Sequence, residues 1–171
     1  MKKKATKRAP RARKPAVGWR ERISLPALGL KGIRAKVDTG ARTSAIHALE
    51  IRRFRRGGRR MVRFKLQPRR KRTRTAPPIE AEATLWGERK VKSSSGHPTL
   101  RPIILTVLEL GEERWVIELG LASRALMGFP MLLGRQALRG RYLVDPGRSY
   151  LTGAPGGATG KRVVRRKGTP R

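Results

Sequence analysis

All eleven carboxylates of this chain fall between Glu21 and Asp145, and the residues outside that interval carry positive charge only. That confines any folded core to the interval, because basic runs mixed with Pro and Gly repel themselves and bury little. Residues 1–17 hold eight Lys/Arg and residues 153–171 hold six. Thirteen more basic residues, again without an acid, occupy residues 52–74. The remainder, residues 18–51 with 75–152, has sixteen basic residues against eleven acidic ones, a net +5 in a chain whose total is +32. The reading is one folded domain over residues 17–152 with a basic insert at 52–74, flanked by disordered basic tails at 1–16 and 153–171.

Composition removes several function classes. Hydrophobic residues at 37% are enough for one modest core. There is no Cys, so disulfides, thiolate metal sites and a cysteine nucleophile are excluded. The N-terminus has the positive region of a secretory leader without the apolar stretch of roughly 7–15 residues behind it. The longest apolar-rich run, residues 103–108, is interrupted by Thr106 and is too short to cross a bilayer. A cytoplasmic protein with no membrane contact is expected.

Within the body the pattern is of short strands. Met61-Val62-Arg63-Phe64-Lys65-Leu66 alternates apolar and basic residues, and Gly57-Gly58 before it predicts a hairpin whose polar face is entirely basic. A second strand pair is expected to flank Trp86-Gly87-Glu88-Arg89. A third joins residues 103–110 to 115–119 across Gly111-Glu112-Glu113. Such spacing argues for an all-β fold, a small barrel or sandwich. Only residues 134–139 read as a short helix.

Two features carry chemistry. In Ala35-Lys36-Val37-Asp38-Thr39-Gly40-Ala41 an apolar-flanked strand runs into a carboxylate, a hydroxyl and a turn-permitting Gly. Aspartic proteases present their catalytic group in this way, although an Asp before a turn also forms a plain Asx-turn. About ninety residues downstream, Met131-Leu132-Leu133-Gly134-Arg135-Gln136-Ala137-Leu138 resembles the segment that precedes the C-terminal helix of retroviral-type aspartic proteases. That resemblance implies that the apolar pair packs beneath the Asp-Thr-Gly loop, that Gly134 is a packing residue, and that Arg135 makes a core-bracing salt bridge.

The likeness extends further. Val17-Gly18-Trp19-Arg20-Glu21, Leu25-Pro26-Ala27-Leu28-Gly29-Leu30, residues 36–48, Val91-Lys92-Ser93-Ser94-Ser95-Gly96-His97 and residues 143–151 resemble the bacterial family labelled ATP-dependent zinc proteases. These RimB-like, retropepsin-like proteins are associated with RimK-type ATP-grasp ligases, which add glutamates to a ribosomal protein. The resemblance implies a closed retropepsin-type barrel and peptide-bond hydrolysis, with Asp38, Thr39 and Gly40 forming the catalytic loop. It puts Ala41, Arg42, His97, Leu133, Gly134 and Arg135 in substrate-binding or supporting positions. Two acids usual in the family are missing, one after Arg124 and one shortly after Gly96-His97.

The family label makes its own demands. No His-Glu-x-x-His occurs, so zinc would have to be gathered by His47 and His97 with Asp38 or Asp145, the set His47, His97 and Asp145 being the alternative kept. The reading of the residues is no cofactor, with His47 a half-buried strand histidine and Asp145 a turn initiator before Pro146. Gly156-Gly157-Ala158-Thr159-Gly160-Lys161 fails as a phosphate loop, since Pro155 stands where the first Gly belongs and Arg162 replaces the Ser/Thr. Because one Asp-Thr-Gly supplies one carboxylate, an aspartic mechanism calls for a homodimer with Asp38 from each subunit at the two-fold axis and Thr39 bracing the loops. An acidic peptide is the substrate suggested by charge. The opposing reading is a non-catalytic ribosome- or RNA-associated protein, its basic segments binding phosphates non-specifically. Of the aromatics, only Phe54 and Phe64 sit among those basic residues.

Overall fold

The computed structural model describes residues 14–67, 69–70, 74–75, 77–92, 98–123 and 128–153. His97, both tails outside 14–153, the phosphate-loop look-alike, Arg124 and part of the basic insert lie outside the described residues. The elements in chain order are β1 (Ala16–Gly18), β2 (Arg20–Leu25), a 3-10 turn at Pro26–Leu28, β3 (Leu30–Asp38), β4 (Ser44–Arg56) and β5 (Arg59–Leu66). Two short strands, β6 (Arg69–Arg70) and β7 (Arg74–Thr75), lead to β8 (Ile79–Thr84) and β9 (Gly87–Lys92). The chain continues through β10 (Pro98–Leu110), β11 (Glu113–Ala122), β12 (Met131–Gly134), α1 (Arg135–Leu138) and β13 (Leu143–Asp145). Among the described residues no helix is long and apolar enough to cross a membrane.

Six strands close a barrel in the order β11, β10, β2, β3, β12, β4, with β4 returning to β11 in parallel register. Period-two alternation fills it: Ile23 and Leu25 of β2, Leu108 and Leu110 of β10, Leu119 and Leu121 of β11 all point inward. The all-β barrel is thus as expected, and so is the one short α-helix among the described residues, Arg135–Leu138. The hairpin of β10 and β11 is also present, registered from Ile103 opposite Gly120 to Leu110 opposite Glu113.

Strands β4 and β10 have thirteen residues each, more than the barrel wall uses. A register shift between Leu49 and Arg52, with Glu50 at φ 48°, turns the outer part of β4 away from the barrel. There it pairs with β5, and β5 with β8. Val62, Phe64 and Leu66 on one face of β5 join the main core.

One expectation about this flank is corrected. The segments around Trp86 are strands, but β8 pairs with β5 and β9 with β10. They part because Leu85 donates its N–H to Arg60 O while Trp86 donates to Ile103 O, so the chain changes partner between the two residues. From Arg52 to Leu66 the hairpin's own polar residues are all basic, as expected, but a third strand brings acids to them. Strand β8 lays Glu82 opposite Arg63 and Glu80 opposite Lys65, and both pairs form salt bridges.

Candidate active site

Asp38 ends β3 beside β12, whose parallel register sets Leu133 opposite Val37 and Gly134 opposite Asp38. Leu133 is fully buried there. The apolar pair of the Leu-Leu-Gly-Arg segment therefore supports the strand that delivers the carboxylate.

The loop after Asp38 is held from two sides. On one, Asp38 Oδ1 accepts hydrogen bonds from the N–H groups of Gly40 (3.0 Å) and Ala41 (3.1 Å). Among the described residues no donor reaches Oδ2. On the other side, the first two N–H groups of α1, which have no partner within a helix, go to the loop. Arg135 N donates to Ala41 O at 2.9 Å and Gln136 N to Arg42 O at 3.1 Å.

The Arg135 side chain is where the sequence reading needs correction. No carboxylate among the described residues pairs with it. Its Nη1 donates to Gly40 O at 2.8 Å and Thr39 O at 3.4 Å, so it braces the loop through backbone carbonyls, not through an ion pair. The reason is local: residues 39–43 contain no acid. Gly134 is the packing residue expected. A Cβ there would lie 2.6 Å from the carbonyl carbon of Thr43, closer than real Cβ contacts come. Its N–H donates to Ser44 Oγ at 3.1 Å, a buried contact that nothing in the sequence marks as special.

Asp38 is half-buried, while Thr39, Gly40 and Arg42 are exposed. Next to the loop a cavity of about 310 Å³ is lined by Arg42, Thr43, Arg89, Val116, Glu118 and Gln136, among others. Arg89 is fixed in it by Glu118 Oε2 at 2.6 Å and by Thr43 Oγ1. Sequence reasoning missed this Arg89, Glu118 and Thr43 group, because three elements must be in register before the residues meet.

Glu21 was also missed as a structural carboxylate. It is fully buried, and its oxygens accept from Gly18 N (2.6 Å), Leu151 N (2.9 Å), Thr152 N (3.4 Å) and Thr152 Oγ1 (2.9 Å). The signal was available: Glu21 has the inward parity of Ile23 and Leu25 in β2.

Of the residues proposed for zinc, His97 lies outside the described residues. His47 is a half-buried residue of β4, whose N–H donates to Pro130 O at 2.8 Å. Asp145 accepts from Gly147 N at 2.9 Å, the expected turn geometry, and pairs with Arg148 at 2.6 Å. The Arg148 guanidinium, followed by the Gly147 N–H, holds the Asp145 carboxyl below its ordinary value. Among the described residues no group of three or more His, Asp or Glu is placed to hold a metal ion.

Comparison with known proteins agrees with the barrel. A Legionella pneumophila protein of unknown function (DUF785) superposes with a TM-score of 0.68 at 27% identity, covering 81% of this chain and 98% of that one. Proteins named "Probable alpha-L-glutamate ligase" are 41% identical over 140 residues in Shewanella pealeana and 44% identical over 141 residues in Parasynechococcus marenigrum. Each match takes in 82% of this chain but 30% of the relative, so the chain spans less than a third of those proteins. The family described as "Retropepsin-like aspartic endopeptidase RimB" matches residues 16–155. With its Asp-Thr-Gly loop seated on a six-stranded barrel, the chain belongs to this RimB-like family of retropepsin-like proteins.

Proposed function

We propose that this protein is an aspartic-type endopeptidase in which Asp38 is the catalytic carboxylate. The observation that carries the reading is the division of labour within that side chain: Oδ1 is anchored by two backbone N–H groups, while Oδ2 is left to engage a reactant. An anchored carboxylate on a loop braced from below is preorganised, so little is spent on positioning during reaction.

Hydrolysis needs two such groups. Two carboxylates close together cannot both ionise, so one is protonated and the other charged. The ionised member takes a proton from water as the water oxygen attacks the peptide carbonyl carbon. The protonated member gives its proton to the carbonyl oxygen. When the tetrahedral adduct collapses, the C–N bond breaks, the amine leaves with the proton that the first carboxylate received, and one hydroxyl of the adduct returns its proton to the second carboxylate as the C=O bond re-forms. The second Asp38 comes from a second copy in a symmetric homodimer. The name of the longer relatives, and the positive charge of this chain, support a glutamate-rich peptide as substrate and a RimK-type ligase as partner, in the cytoplasm.

The test is cleavage of a mixed peptide library by the wild type and by Asp38→Asn. Loss of cleavage at all sites is expected, and undiminished cleavage removes Asp38 from the mechanism. Sedimentation at assay concentrations checks the dimer, since a fully active monomer contradicts the shared site.

A further inference from the structure

The cavity of about 310 Å³ lies where the Asp38 loop enters β4, walled by β9, β11 and α1. Its wall holds two guanidinium groups and one carboxylate, and the two cations differ in state. Arg89 is neutralised, paired with Glu118 Oε2 at 2.6 Å and donating to Thr43 Oγ1. Arg42, four residues past Asp38, pairs with no carboxylate among the described residues. Its backbone is fixed all the same, because its carbonyl accepts from Gln136 N at 3.1 Å. Two cations against one anion leave the wall with a net charge of +1.

The other polar groups of the wall suit an acceptor. Thr43 Oγ1 already accepts from Arg89, so its own O–H is left to donate elsewhere. The Gln136 side chain is exposed and makes no hydrogen bond among the described residues, which leaves its amide N–H groups to donate as well. Val116, 59% exposed, adds an apolar surface beside these donors. One free guanidinium, two neutral donors and an apolar wall match a single carboxylate carried on a methylene stem. A dianion is a poorer match, since Glu118 lines the same space and repels the second charge.

We propose that this cavity is the subsite that reads one glutamate side chain of the substrate, with Arg42 as the specificity-determining residue and Glu118 as the group that withholds Arg89. The proposal rests on the reading of Asp38 as catalytic and adds where along the peptide the acid must stand. An extended peptide held across Asp38 alternates its side chains, and one of them enters a cavity that borders the same loop. The acid is therefore needed at one position relative to the scissile bond. Attraction by the many other basic residues acts over a Debye length and does not distinguish positions. Glu is favoured over Asp, because its longer stem covers Val116 while its carboxylate reaches Arg42.

The experiment uses the full chain and a neutral peptide cleaved at one bond, in which a single Gln is replaced by Glu at each position in turn. The wild type is expected to gain about tenfold in kcat/KM from Glu at one position and under about twofold elsewhere. Arg42→Gln should bring that gain below about twofold, while Arg42→Lys keeps part of it. Arg59→Gln, an exposed cation at the hairpin turn, is the charge-matched control and should leave the gain unchanged. Glu118→Gln frees Arg89 and should raise the gain at least about threefold. Ratios between two peptides on one enzyme sample cancel any loss of folded protein. A gain spread evenly over positions, a gain that survives Arg42→Gln, one that Glu118→Gln fails to raise, or a larger gain from phosphoserine at the same position would overturn the proposal. Binding of the Glu and Gln peptides to Asp38→Asn, with and without Arg42→Gln, is read by fluorescence anisotropy and separates the subsite from the catalysis. Were Asp38→Asn to cleave like wild type, the catalytic reading would fall; an Arg42-dependent preference for the Glu peptide in binding would still support the subsite, and its absence would overturn it.

Discussion

Glu21 and Asp38 are carboxylates on consecutive barrel strands with opposite surroundings. Glu21 is fully buried and both its oxygens are occupied, tying Gly18 to Leu151 and Thr152. Asp38 is half-buried and has one oxygen occupied, by N–H groups of its own loop. Burial with every acceptor used marks a structural group, because a bound proton or reactant would first have to displace a hydrogen bond. Partial burial with one oxygen anchored marks a group that can exchange protons without disturbing the fold.

The largest effect separates the two directly. Asp38→Asn should lower peptide hydrolysis by about a thousandfold, as removal of an acid–base group does, with a melting temperature within about 2 °C of wild type. Steady-state cleavage and thermal melting on the same samples check it; a variant that loses activity by unfolding would erase the contrast. Gly134→Ala attacks the support beneath Asp38. The added Cβ meets Thr43 backbone at 2.6–2.8 Å, so roughly 3 kcal/mol of stability should be lost as β12 and the loop move apart. Chemical denaturation reads this, and a loss under about 1 kcal/mol would mean the contact relaxes freely.

Glu21→Gln is the counterpart to the Asp38 substitution. An amide keeps one acceptor and turns a donor toward Thr152, so about 2 kcal/mol is expected to go, or roughly 6 °C in melting temperature. Activity at a temperature where the variant is folded should stay near wild type. Were activity to fall first, Glu21 would be acting on the site and the two carboxylates would not be separable. Arg135→Ala removes two hydrogen bonds to loop carbonyls at an exposed position, which predicts about 1 kcal/mol and a drop of about tenfold in kcat from a looser loop.

How much of this was legible follows from the range of each signal. Asp38, the Leu133-Gly134 support and the helix after them are local strings, readable because a strand running into a Gly turn, or an apolar pair into a Gly, is a short-range pattern. The inward parity of Glu21 was equally local. What escaped depends on register between distant strands: Glu80 and Glu82 against β5, Arg89 with Glu118, Arg135 with carbonyls about ninety-five residues earlier. A one-residue slip would move each of those groups to the opposite face, and nothing in the local pattern selects the register. The split of β8 from β9 is the same failure, since both strands were visible and only their partners were not.

The smallest effect brings in a third carboxylate, Asp145, intermediate between the other two. It is anchored by Gly147 N like Asp38, and additionally paired with Arg148. Its folded pKa is depressed below the ordinary 3.8, with the Arg148 hydrogen bond as the main cause. A depressed carboxylate contributes stability that is fully present above its unfolded pKa and is lost as pH falls through the folded value. Melting of wild type and Asp145→Asn should therefore differ slightly at pH 6, with wild type higher, and the gap should narrow as pH falls below about 3.8. Because the pair is exposed, salt should shrink the gap at pH 6 as well. A gap that is independent of both pH and salt would show that the charge on Asp145 and its pair with Arg148 contribute nothing, because Asn keeps the Oδ1 acceptor of the Asx-turn to Gly147 and differs only in charge.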